Sequence, residues 1–101
     1  MPNIFTGAVT ASAPSNTLVL SSSDTAVAAN ISRVGLVLTN LSDSTMYIGL
    51  NGRYAVLNSG LIIAPFGGVW VMDEFTFNKE RINAIANTTN SILAVQEFTS
   101  I

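Results

Sequence analysis

The sequence predicts an all-β domain: an antiparallel β-sandwich or jelly-roll-like small barrel of seven to eight short strands, with an extended N-terminal arm. Three observations predict it. From Thr17 onward, turn residues recur about every ten positions, the spacing of sandwiches and small barrels. Between the turns, apolar residues alternate with period two, as they do on a pleated strand. Before Asp73 no stretch keeps a helical period over a useful length. The 101 residues suit one domain, divided here into an arm over 1–16 and a sandwich over 17–101.

The arm is small and polar and contains Pro2 and Pro14, with Ile4, Phe5 and Val9 as its larger apolar side chains. It has too little to bury to fold alone. Two readings stand: a frayed terminus, or an extended segment that docks Ile4 and Phe5 on a neighbour, since both are costly to leave in water.

The first strand of the sandwich runs through Leu18, Val19 and Leu20. Arg33 to Asn40 puts Val34, Leu36 and Leu38 on one face and Gly35, Val37 and Thr39 on the other. A turn follows over 40–44. Thr45 to Leu50 alternates Met46, Ile48 and Leu50 against Tyr47 and Gly49. Asn51-Gly52 is a strong hairpin signal, because both turn positions require φ > 0, so Arg53 to Leu57 is expected to return as the partner strand. Asn58-Ser59-Gly60 turns the chain into a brief strand over Leu61 to Ala64. Pro65-Phe66-Gly67-Gly68 turns it again, into Val69 to Met72. Asp73 to Glu80 is a polar loop with room for one helical turn. Arg81 to Asn87 is a strand with Ile82, Ala84 and Ala86 on one side. After the turn at 87–90, Ser91 to Phe98 is the last strand.

Several strands are apolar on both faces. Ile92, Ala94 and Phe98 oppose Leu93 and Val95, and Val69 and Val71 oppose Trp70 and Met72. An isolated two-layer sandwich keeps one face of each sheet polar. A second apolar face therefore points to contact with another subunit, or to cover by a neighbour's arm.

Composition narrows the function. Lys and Arg number 4, Asp and Glu number 6, and together they make 10% of the chain, against roughly 25% in an ordinary soluble domain. A surface this poor in charge is sticky unless covered. The cations Arg33, Arg53, Lys79 and Arg81 are scattered and the net charge is −2, so no basic stripe exists to neutralise phosphates and nucleic-acid binding is not expected. No apolar run approaches the ~20 residues of a membrane helix. The N-terminal residues lack the charged and apolar regions of a secretory signal.

Chemistry fares no better. The chain has no His and no Cys, so the usual zinc, haem and iron–sulfur ligands are missing, and no cofactor is expected. Its serines have no imidazole base, and a Ser–Lys pair through Lys79 lacks any motif. Asp73 and Glu74, being adjacent, would diverge on a strand, and too few oxygen ligands surround them for calcium. Gly67-Gly68 and Asn51-Gly52 have no helix after them, so they are turns rather than phosphate loops. The expectation is a protein that is not an enzyme. Tyr47, Tyr54 and Trp70 are candidates for a sugar-stacking shelf or for packing. Phe66, Phe75 and Phe77 lie on or beside loops and, with Ile4, Phe5 and Arg33, are the candidate interface residues. Arg33 is read either as an interface ion-pair partner or as a plain strand-end charge.

The run RVGLVLTNLSDSTMYIGL from Arg33 to Leu50 resembles a pattern of small tailed-bacteriophage virion proteins: an Arg, an apolar strand, Asn-x-Ser, and a short strand ending Tyr-Ile-Gly. The matching residues are Arg33, Leu36, Leu38, Asn40, Ser42, Tyr47, Ile48 and Gly49. Gly60-Leu61, the Pro65-x-Gly-Gly turn and Ala94-Val95-x-Glu97-Phe98 continue the layout, so the likeness spans roughly residues 31–98. It implies a β-sandwich capsid decoration or cement protein, made in the host cytoplasm and carried on the virion surface. Such proteins commonly form trimers between capsomers, with the major capsid protein as partner. The alternative is a carbohydrate- or receptor-binding module of a phage tail or fibre.

Overall fold

The computed structural model describes residues 9–88 and 91–100. Among them are nine strands and no helix: β1 (Val9–Ala11), β2 (Ser15–Val19), β3 (Asp24–Val27), β4 (Arg33–Asn40), β5 (Met46–Gly49), β6 (Leu61–Ile63), β7 (Gly68–Val71), β8 (Ile82–Ala86) and β9 (Ser91–Ser100). They form two antiparallel sheets. In the larger, β9 and β4 are central and β7 is one edge. The other edge is shared end to end, with β2 pairing Ser91 to Val95 and β1 pairing Phe98 to Ser100. The smaller sheet runs β3-β8-β5-β6.

Four antiparallel pairs nest inside one another along the chain: β2 with β9, β3 with β8, β4 with β7, and β5 with β6. The pairs alternate between the sheets, and β4–β9 and β5–β8 pairings join them. A long hairpin folded over in this way is a jelly roll. Nine strands thus fill eight lanes, matching the all-β sandwich expected from the turn spacing.

The inner faces make one core. Leu36 and Leu38 of β4 and Leu93 and Val95 of β9 meet Met46, Ile48, Ile63, Ile82, Ala84 and Ala86 from the smaller sheet. Trp70 and Phe77 pack against its margin. The alternation read from the sequence groups Leu36 with Leu38, Met46 with Ile48, Leu93 with Val95, and Ile82 with Ala84 and Ala86, and in each strand that shared face is the one that meets the opposing sheet.

Both ends of β4 carry a buried polar clamp. Arg33 is 0% exposed. Its Nε donates to Glu97 Oε2 at 2.6 Å, and its terminal nitrogens donate to the carbonyls of Ala28, Asn78 and Glu80. Asn40, also fully buried, donates to the carbonyls of Ser44 and Ile63 and accepts from the Ser42 amide and hydroxyl. A buried charge or amide is tolerable only with its hydrogen bonds met. Both residues meet theirs by tying loops to β4.

Three sequence expectations change. Arg53 to Leu57 is not a strand. Asn51 and Gly52 do turn with φ of 58° and 77°, but β6 and β8 occupy both edges of β5. The returning chain crosses the outer face of the smaller sheet instead. The segment Asp24–Val27, flanked by small polar residues, is a strand that the sequence reading passes over. Within the segment expected to be an arm, residues 9–11 and 15–16 pair with β9 of their own chain; Ile4 and Phe5 lie outside the described residues.

Candidate functional site

The two outer sheet faces are treated differently by the chain. On the smaller sheet, the segment 53–58 lies over β5 and β8. Asn83 Nδ2 donates to the Arg53 carbonyl at 2.6 Å, the Ala55 amide donates to Ser23 Oγ at 2.9 Å, and the Tyr47 hydroxyl donates to Asn58 Oδ1 at 3.0 Å. Tyr47, Ala55 and Ile85 form a small second core beneath it. Gly49 makes the close approach possible, since a Cβ there would stand 2.3 Å from the Arg53 carbonyl oxygen.

The larger sheet has no such cover among the described residues. Cross-strand register gives its outer face row by row, since directly paired residues share a face. Leu18 stands beside Ile92. Asn16, Ala94, Thr39 and Val69 form the next row. Gln96, Val37 and Val71 form the third, and Phe98 with Gly35 the fourth. Leu18, Val69 and Val71 are about half exposed. No side chain in these rows is charged. Four strands at the usual spacing and rise give a face on the order of 400 Å², the scale at which exposed apolar patches mark contact sites. The two-faced apolar pattern of β7 and β9 is the sequence signal that found it.

The candidate residues scatter. Phe66 and Phe75 are exposed, at 81% and 88%. Phe77 is half-buried and packs against the core margin. Arg33 has no surface to offer a partner, because its guanidinium is buried and bound within the chain. The three aromatics of the sugar shelf are not assembled. Tyr47 is buried under 53–58, Trp70 turns toward the core, and Tyr54 alone stands in solvent.

What sequence reasoning missed is the local setting of Phe66. The residue holds a left-handed backbone, φ 59°, which is a genuine outlier for a bulky side chain. Its amide donates to the Ser42 carbonyl at 2.9 Å, and the next amide, of Gly67, donates to the Asn40 carbonyl at 2.7 Å. The Asn40 clamp thus fixes the tip that carries Phe66. A Phe-Gly-Gly turn advertises flexibility, and nothing local in it announces this rigidity.

Among the described residues, no three carboxylates gather to hold a metal ion. Two clefts flank the exposed Tyr54. One, of about 380 Å³, is lined largely by Ile48, Leu50, Val56 and Leu61. The other, of about 190 Å³, is polar and lies among Asp24, Thr25, Arg81 and Asn83. In the second, the Ser23 hydroxyl accepts from the Ala55 amide and the Asp24 carboxylate accepts from the Thr25 amide. Comparison of the chain with protein-family models, curated proteins and solved structures returns no match.

Proposed function

We propose that this chain is a structural module without enzymatic activity, a capsid decoration or cement protein that docks on the major capsid protein and reinforces the shell. One observation carries the reading. The 53–58 segment lies over the outer face of the smaller sheet, whereas among the described residues nothing lies over the broad, uncharged outer face of the larger sheet. An apolar face without charges gains from burial against a partner at roughly 25 cal/mol per Å² and contains no charge to desolvate. The low charge of the whole chain and the virion-like layout of residues 31–98 support the same reading. So does the jelly-roll architecture, which recurs in viral capsid domains, although fold alone never assigns function.

The test is co-purification with intact particles. The reading predicts that the protein stays with shells through density-gradient separation, in a fixed copy ratio to the major capsid protein. Shells that carry none of it, from cells that express it, contradict the reading.

A further inference from the structure

Phe66 poses a question that the larger sheet's face does not answer. A large aromatic in a left-handed conformation is strained, and a side chain 81% exposed returns almost nothing to its own core. The tip is nonetheless held by two backbone hydrogen bonds to the Asn40–Ser42 segment. Gly68 lets it fold so tightly, since a Cβ there would meet the Ala64 carbonyl oxygen at 2.2 Å. A rigid, protruding aromatic has the form of an interface anchor, because its ordering cost is already met before binding.

The same chain carries a receptor for such an anchor. The apolar cleft of about 380 Å³, lined by Ile48, Leu50, Val56 and Leu61, falls within the range of about 300–1,000 Å³ in which small-molecule-sized groups bind. Charge agrees with shape. Asp43 is exposed one residue from Ser42, whose carbonyl pins Phe66. Arg53 is exposed and lines the cleft. Neither has an ion-pair partner among the described residues. Knob and cleft sit at opposite ends of β6: Leu61 lines the cleft, and the chain leaves Ile63 toward Phe66. A knob therefore cannot fill the cleft of its own chain.

We infer that copies of this chain associate head to tail, Phe66 of one entering the Leu50–Val56–Leu61 cleft of the next, with Asp43 opposite Arg53. The contact is heterologous, so it closes into a ring or extends as a filament. It deepens the reading of the chain as an assembling module and uses a surface separate from the larger sheet's face.

Sedimentation velocity of the isolated protein across a concentration series tests it. Wild type is expected to associate beyond the monomer. Phe66→Ala, at an exposed position that leaves the core intact, is expected to weaken association roughly thirtyfold or more, as for a hot-spot aromatic. Asp43→Arg and Arg53→Asp should each weaken it, and the double exchange should restore it. Mixing Phe66→Ala, which lacks the knob, with Val56→Arg, which blocks the cleft, leaves one working contact. The mixture should stop at dimers. A wild type that stays monomeric at high micromolar concentration, association indifferent to Phe66→Ala, or no rescue by the double exchange overturns the contact. Failure here and failure of the decoration reading are separable. A monomer that still loads onto shells removes only the head-to-tail contact, and an oligomer that never loads removes only the decoration role.

Discussion

At the scale of single residues, the fold depends on polar side chains that the sequence marks poorly. Arg33 is one of four cations and stands just before an apolar strand, which suits a surface charge. Its real partners are Glu97 and three carbonyls from two other loops. Those contacts are set by tertiary approach and leave no local trace. Removing one member of a buried pair strands the other, so Arg33→Ala should cost about 3–5 kcal/mol in urea unfolding. Arg33→Leu combined with Glu97→Leu should recover part of that loss. Asp73 behaves differently. Its carboxylate accepts from the Thr76 hydroxyl, the Thr76 amide and the Phe75 amide. The Thr76 hydroxyl first, then these amides, hold its pKa below the ordinary 3.8. A depressed carboxylate stabilises the fold above its unfolded pKa and ceases to do so as pH falls through its folded pKa. Asp73→Asn should therefore be less stable than wild type near neutrality. The gap should close in acid below pH 3.8, which thermal melts over a pH series would read.

At the scale of elements, alternation and turn chemistry were sufficient to find most strands. Arg33–Asn40 is a strand over the residues read from the sequence, and Ile82, Ala84 and Ala86 face the core as their alternation requires. The misses share a cause. Asn51-Gly52 makes the turn it advertises, yet pairing depends on which edges remain free, and those of β5 are taken by strands ten and more residues away. Asp24–Val27 contains only two apolar residues, and its place on β8 follows from the nested pairing rather than from its own pattern. The 53–58 cover rests on Gly49. Gly49→Ala would force the Arg53 and Tyr54 carbonyls aside. Overpacking of this kind costs typically 1–3 kcal/mol, so the variant should unfold at lower urea and be cleaved by protease within 53–58 sooner than wild type.

At the scale of the whole molecule, the sequence narrowed the fold to a sandwich or jelly roll but could not choose, because the outermost pair, β2 with β9, joins segments more than seventy positions apart. The larger sheet's outer face was legible as two-sided apolarity in β7 and β9, and Phe66 as a loop aromatic; the fixed setting of Phe66 and the cleft were not, since both depend on loops placed by Asn40 and Gly49. Size joins the two surfaces. A stable partner contact buries about 800 Å² on each side, roughly twice what the sheet face supplies. A module held by that face alone would bind weakly. Head-to-tail linkage of copies would add avidity, because neighbouring faces then engage one shell together.

The claim that the larger sheet's outer face is the docking surface meets its most direct test in a pelleting assay with purified shells. Val71→Lys places a charge on that face at its exposed edge strand, where stability should change by no more than about 0.5 kcal/mol. Ile31→Lys, at a site 84% exposed and outside the face, is the control. The account predicts that wild type and Ile31→Lys sediment with shells in the same ratio while folded Val71→Lys remains in the supernatant. Equal pelleting of Val71→Lys and wild type would contradict it.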